Sequence, residues 1–290
     1  MKNELFKKGM IAMLALTIPC LASAAESNLQ KAMRLNDEGV MLMKKNDAGG
    51  AIDKFKASID ADKTYMAAYH NLGKILIVAK KYDAAEHLLQ YGLSAVPSDP
   101  GCLVQLAQAS ALSGNSELCR KTLNDVGFAK DETLLPSLAL LLASQKTYPE
   151  AEFAIDRAVS LFPKNAECWY NKGIVLERQK KWKDAESAYA QAVAIQPKNS
   201  DAWVNRGNMQ DHLGETDNAI ASYEKAYAVS PDSPLALYNL GRMLVLKGRD
   251  PRRGLALLQE ATKHGISNGA PEARELLQYL IKQAKKGGAK

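Results

Sequence analysis

At 290 residues the chain is long enough for one large domain or two ordinary ones, and 47% hydrophobic with 24% charged residues is a globular composition. No apolar run reaches the eighteen or so residues of a spanning helix, which excludes a multi-pass membrane protein. A net charge of +6 beside that many hydrophobes excludes wholesale disorder, and 11 Pro with 19 Gly exclude a collagen-like chain or a long flexible linker.

Residues 1–24 have the order of a secretory signal. Lys2, Lys7 and Lys8 supply the positive end, and Met10 to Leu21 is apolar apart from Thr17 and Pro19. Ala22-Ser23-Ala24 then offers the small residues that signal peptidase accepts. Cleavage is expected after Ala24 or Ala25, giving an exported protein. The lack of any Asn-x-Ser/Thr sequon points to a bacterial periplasm. Cys20 opens a lipid-anchored alternative, although Thr17-Ile18-Pro19 before it fits a lipobox poorly.

Without the leader the net charge falls to +4, and Lys282, Lys285, Lys286 and Lys290 carry as much at the other end. The body is near neutral and shows no basic stripe, so no nucleic-acid partner is expected. Cys102, Cys119 and Cys168 remain, an odd number for a disulfide framework in an oxidising compartment. Cys102 and Cys119 fall near the starts of successive antiparallel helices, roughly 10 Å or more apart. Three free thiols are expected, with Cys119 a small core residue. The cysteines and the scattered His70, His87, His212 and His264 lack metal-ligand spacing, so neither metal nor cofactor is expected.

From about residue 32 the chain repeats itself. The string from Trp169 to Pro197 recurs from Trp203 to Pro231, an offset of 34. A small residue recurs as Gly39, Gly73, Ala107, Ala139, Gly173, Gly207 and Gly241, with gaps of 34, 34, 32, 34, 34 and 34. Twelve residues further on stand Ala51, Ala85, Cys119, Ala151, Ala185 and Ala219, then Gly254 one residue late. Four residues after each comes a large one: Phe55, Leu89, Leu123, Ile155, Tyr189, Tyr223 and Leu258. Pro97, Pro163, Pro197 and Pro231 close four of the units.

These positions resemble the tetratricopeptide repeat, W-x2-L-G-x2-Y…A-x3-F…P, in length and at each small or large place. The resemblance covers seven units, about 32–65, 66–99, 100–131, 132–165, 166–199, 200–233 and 234–265. It implies an all-α fold, a right-handed α-solenoid superhelix of helix-turn-helix units with the first helix of each lining a concave surface. Small residues where two antiparallel helices cross let their backbones approach, and the large residue one turn later fills the space beside them. Proline stops the second helix, while Pro100 and Pro234 behind Asp99 and Ser233 read as first-turn prolines after N-caps. Stacking the next pair buries the remaining apolar face.

Residues 266–290 read as a capping helix and basic tail. Between Pro271 and Gln283 one face holds Ala273, Leu276, Leu277, Leu280 and Ile281. The short third unit and Pro136 mark residues 127–137 as a change in curvature: Pro136 either bends its helix or shortens it by about a turn.

In tetratricopeptide proteins the groove is formed by positions two, five, six, nine, twelve and thirteen of each first helix. Position six here reads Asp37, Asn71, Gln105, Ser137, Asn171, Asn205 and Asn239. Asn both donates and accepts, so it grips an extended peptide backbone whatever the side chains. Asn171, Asn205 and Asn239 resemble the asparagine ladder of peptide-holding family members. Around them fall Glu167, Tyr170, Glu177, Arg178, Asp201, Asn208, Asp211, Tyr238 and Arg242, a mixture suited to a polypeptide. The peptide-binding residues expected are Asn71, Tyr170, Asn171, Asn205, Asn208, Tyr238, Asn239 and Arg242. Replacing the three consecutive asparagines is expected to weaken binding yet barely alter melting, because groove side chains do little packing. Val104, Ala111, Leu112, Leu140 and Ala143 form either an apolar patch of the groove or, under a small shift of register, part of the core.

The lysine clamp for chaperone carboxyl termini is absent: Asn36 and Gly101 occupy two of its positions. No Gly-rich phosphate loop, nucleophile elbow or His-Glu metal helix occurs, and Glu215 with Asp217 falls at an inter-helix turn where capping explains them. The expected function is a non-enzymatic adaptor holding a peptide segment or partner protein, with no membrane span of its own. A self-assembling scaffold, as a homo-oligomer, is the alternative, beside a lipid-anchored assembly factor.

Overall fold

A computed structural model describes residues 26–127 and 131–265 together with Gln278, Tyr279 and Lys282. The expected leader, most of the expected capping helix and the basic tail lie outside these residues. The chain divides within one helix, between Leu72 and Gly73, into two compact units. Among the described residues it is entirely helical, and no helix is long and apolar enough to cross a membrane.

The first unit holds α1 (Asn28–Lys44), α2 (Ala48–Ala61) and the start of α3 (Met66–Val78). Ser27 caps α1 in a reciprocal pair with Gln30, and Asp47 caps α2 through the amide of Gly50. The helices pack so closely that a β-carbon on Gly39 would stand 2.7 Å from Phe55 Cε1. Beside that contact the Ser58 hydroxyl donates to the Ala32 carbonyl at 2.6 Å, satisfying a buried polar group.

The second unit continues α3 and adds α4 (Tyr82–Ala95), α5 (Pro100–Ser113), α6 (Ser116–Gly127), α7 (Leu134–Ser144), α8 (Tyr148–Leu161) and α9 (Ala166–Arg178). Then come α10 (Trp182–Ile195), α11 (Ser200–His212), α12 (Thr216–Val229), α13 (Pro234–Leu246) and α14 (Pro251–Lys263). The expected fold class, an all-α repeat of paired helices, is the one the chain adopts. Each proline-closed helix stops two residues short of its proline. The intervening Val96, Phe162, Gln196 and Ser230 leave the helical region, as the residue before proline must. Asp99, Asn165, Asn199 and Ser233 then cap the next helix with their side-chain oxygens.

The recurring small residues have a direct cause. A β-carbon on Gly173 or Gly207 would stand 2.6 Å from a ring carbon of Tyr189 or Tyr223, and one on Gly241 would stand 2.9 Å from the Gly254 carbonyl. Where alanine replaces glycine, at Ala107 and Ala139, the large partner is Leu123 or Ile155 rather than a ring. Cys119 sits buried in this register and its thiol donates to the Ala107 carbonyl at 3.3 Å. A further periodic feature joins the two helices of each pair: Asn46, Lys80, Gly114, Lys146, Lys180, Gly214 and Gly248 all take a left-handed φ between 57° and 85°. That conformation closes the turn after the first helix, and only glycine adopts it without strain.

Pro136 shortens its helix rather than bending it. α7 begins at Leu134, so the proline lies in the first turn, where no backbone donor is needed, and α7 has 11 residues. The expected change of curvature falls partly on residues 128–130, which are outside the described set. Capping does not account for Glu215: it stands at the N-cap of α12, but its carboxylate takes the Asn218 amide rather than a backbone N–H. Asp217 pairs with Arg249 at 2.6 Å.

Candidate functional site

The side chains expected to line the groove lie where one first helix meets the next, and several are bonded to each other. Asn205 on α11 donates to the Tyr170 hydroxyl of α9 at 3.1 Å. In the first unit Asn71 on α3 donates to Asn36 of α1 at 2.8 Å in the same register, reaching back 35 residues in both cases. The register explains the other two asparagines of the series. Counting back 35 from Asn171 gives Pro136, and from Asn239 gives Val204, both buried and without a side-chain acceptor. Among the described residues the amides of Asn171 and Asn239 accordingly make no hydrogen bond. The four asparagines are therefore two kinds, engaged and unengaged.

Asn171 is also only 6% exposed, so the premise that groove asparagines do little packing fails there. It fails at Asn205 too, whose bond ties two helix pairs together. The apolar candidates separate as well. Ala111 and Ala143 are buried in the core that runs through α5 to α8, and Val104 and Leu140 pack against that core while half-exposed. The shifted register is thus the correct one for the two alanines, and they are not groove residues.

Two hydroxyls reach this face from second helices. Tyr189 donates to Glu177 at 2.7 Å, and Tyr223 donates to Asn208 at 2.9 Å. Both rings are fully buried. The signal that could have found them is chemical: only these two of the seven large positions carry a hydroxyl, which a buried tyrosine must satisfy. Tyr170 leans on Tyr189, with ring centroids 5.7 Å apart and planes at 58°. Arg242 on α13 pairs with Asp211 on α11 at 2.7 Å, both side chains 23% exposed.

The electrostatics follow this layout. Burial pushes the Tyr170 hydroxyl above its ordinary pKa, the charge of Asp201 adds to the shift, the Asn205 bond opposes it, and Glu177 adds a little more. Burial likewise raises Tyr238, while neighbouring Arg242 pulls it back. Burial works most strongly against the charge on Arg242, but the bond to Asp211 and the charges of Asp211, Tyr223 and Tyr238 together outweigh it, and the guanidinium ends above its usual value. Arg178 is exposed and donates to the Leu140 carbonyl at 3.3 Å. The face can thus offer amides, tyrosine hydroxyls and carboxylates to a ligand.

The tetratricopeptide repeat family model matches residues 137–200, 170–234 and 212–271. No curated protein matches the chain. Among solved structures, the C-terminal part of a tetratricopeptide repeat-containing protein from Cytophaga hutchinsonii superposes with a TM-score of 0.52 at 14% identity, over 82% of this chain and 98% of that one. A tetratricopeptide repeat protein from Parabacteroides merdae gives 0.43 at 18% identity, over 88% and 99%. YrrB, described as a tetratricopeptide repeat protein with an unusual peptide-binding site, gives 0.40 at 20% identity, over 63% and 95%. Residues 137–271 thus match the tetratricopeptide repeat model, and the chain shares its all-α repeat fold with the Cytophaga hutchinsonii structure.

Proposed function

We propose that the chain is a non-enzymatic adaptor whose first-helix face on α9, α11 and α13 holds an extended segment of a partner protein. The observation that carries this reading is the pair of unengaged amides, Asn171 and Asn239, on either side of the Asn205–Tyr170 contact. Asn171 is 6% exposed and Asn239 half-buried, and an extended backbone supplies the donor and acceptor that each amide lacks. Tyr170 and Tyr238 add broad contact area at small entropic cost. The leader-like residues 1–24 support a place in the bacterial envelope for this adaptor.

A photo-crosslinking residue placed at Tyr238, compared with one at exposed Lys225 on α12, tests the face. Partner adducts from Tyr238 that disappear on Asn171→Ala support it, whereas adducts formed equally from Lys225 contradict it. A second reading, self-assembly, is favoured by the exposed Leu29, Met33, Met41 and Met43 of α1. Light scattering separates the two, since a monomer at all concentrations removes the scaffold.

A further inference from the structure

We infer that the segment held on this face carries a lysine or arginine whose cationic group seats beside Tyr170, between the carboxylates of Glu177 and Asp201. This rests on the reading of α9, α11 and α13 as a peptide-holding face and names the chemistry of its ligand.

The first observation is an imbalance of charge. Asp211 is neutralised by Arg242, but Glu167, Glu177 and Asp201 form no ion pair among the described residues. The neighbouring cation, Arg178, is bonded to a backbone carbonyl on α7. The Asn205–Tyr170 contact brings α9 and α11 together, and one turn towards the N-terminus from it stand Glu167 and Asp201. Asp201 and Glu177 both lie within electrostatic reach of the Tyr170 hydroxyl. Carboxylates in a first turn also favour the helix dipole. That need does not explain the pair, because α13 forms with the half-exposed Leu235 at the same position.

The second observation is independent and points to a ligand. Asn171 lies one turn from Glu167 and next to Tyr170, is more than nine-tenths buried, and has an unengaged amide because Pro136 stands where its counterpart would be. Tyr170 accepts from Asn205 and keeps its own proton to donate. A backbone peptide unit satisfies Asn171 and Tyr170 together. A cationic side chain projecting from that unit meets the half-buried Glu177 carboxylate and the half-buried tyrosine ring, with the exposed Asp201 beside them.

The test begins with the intact chain probed against an array of twelve-residue peptides. A bound peptide is then resynthesised with its lysine or arginine replaced by glutamine, and both versions are titrated by fluorescence anisotropy. The bound set should be enriched in lysine and arginine, and the glutamine version should bind at least fivefold more weakly. Glu177→Gln with Asp201→Asn should erase that difference, and Asn171→Ala should weaken both versions. Asp201→Lys should shift preference towards a glutamate version, which a merely unfolded variant cannot do. Equal binding of both versions, each sensitive to Asn171→Ala, overturns the cation seat and leaves the peptide face standing. Binding indifferent to Asn171→Ala and Tyr170→Ala, or no binding to the array, overturns the face as well.

Discussion

Gly173→Ala should destabilise the fifth helix pair by about 2–4 kcal/mol. The added methyl would stand 2.6 Å from Cδ1 and Cζ of Tyr189, well inside contact distance, and that ring is fully buried and tethered through its hydroxyl to Glu177. Overpacking of this kind costs roughly 1–3 kcal/mol, and displacing the ring weakens a charged hydrogen bond worth about 1.5–3 kcal/mol. Alanine's better helix propensity returns about 1 kcal/mol. The chain itself supplies the compensating change, since Ala107 and Ala139 face Leu123 and Ile155. Gly173→Ala with Tyr189→Leu should therefore be more stable than the sum of the two single changes by 1 kcal/mol or more. Urea unfolding followed by tryptophan fluorescence reads the right region, because the chain's three tryptophans, Trp169, Trp182 and Trp203, all lie in the fifth and sixth pairs. A single variant as stable as the parent, or strictly additive changes, would refute the close approach of glycine and ring.

Lys180→Gly should stabilise by about 0.5–1 kcal/mol, because Lys180 holds φ 60° where Gly114, Gly214 and Gly248 serve elsewhere; a lower urea midpoint would contradict the strained turn. Asn205→Ala should cost about 1 kcal/mol through its lost bond to Tyr170, whereas Asn171→Ala loses buried packing but no hydrogen bond and should cost less, and thermal melts of the two compare them directly. Burial pushes the thiols of Cys119 and Cys168 up to about 11, above the value of an unfolded chain. The folded state keeps those protons while the unfolded state loses them, so the stability concerned is intact below about pH 8.5 and is lost as pH rises towards 11, on the order of 3 kcal/mol per thiol. Ellman's reagent at pH 8 should not react with these thiols until the protein is denatured, and immediate reaction would show an open core.

Much of the fold is legible in the sequence because its causes are local or strictly periodic. Pro163 and Pro197 stop helices, Asn165 and Asn199 start the next, and Gly173 with Tyr189 marks a crossing by size alone. The left-handed Lys80, Lys146 and Lys180 are not legible, since lysine carries no sign of its φ; only the glycines at the same repeat position betray it. The candidate face is legible as a set of positions but not as a set of bonds. That Asn205 is engaged and Asn171 is not depends on what stands 35 residues earlier, Tyr170 or Pro136, and on helices meeting at that register. Ala111 and Ala143 are ambiguous in the sequence because a small apolar residue suits core and groove equally.

The most direct measurement is the side-chain amide NMR spectrum of the intact chain during titration with a lysine-bearing peptide bound from the array. The amide signals of Asn171 and Asn239 should shift with the peptide, together with backbone signals of α9, α11 and α13. Shifts confined to α10, α12 and α14, with Asn171 and Asn239 unmoved, would contradict the peptide-holding face.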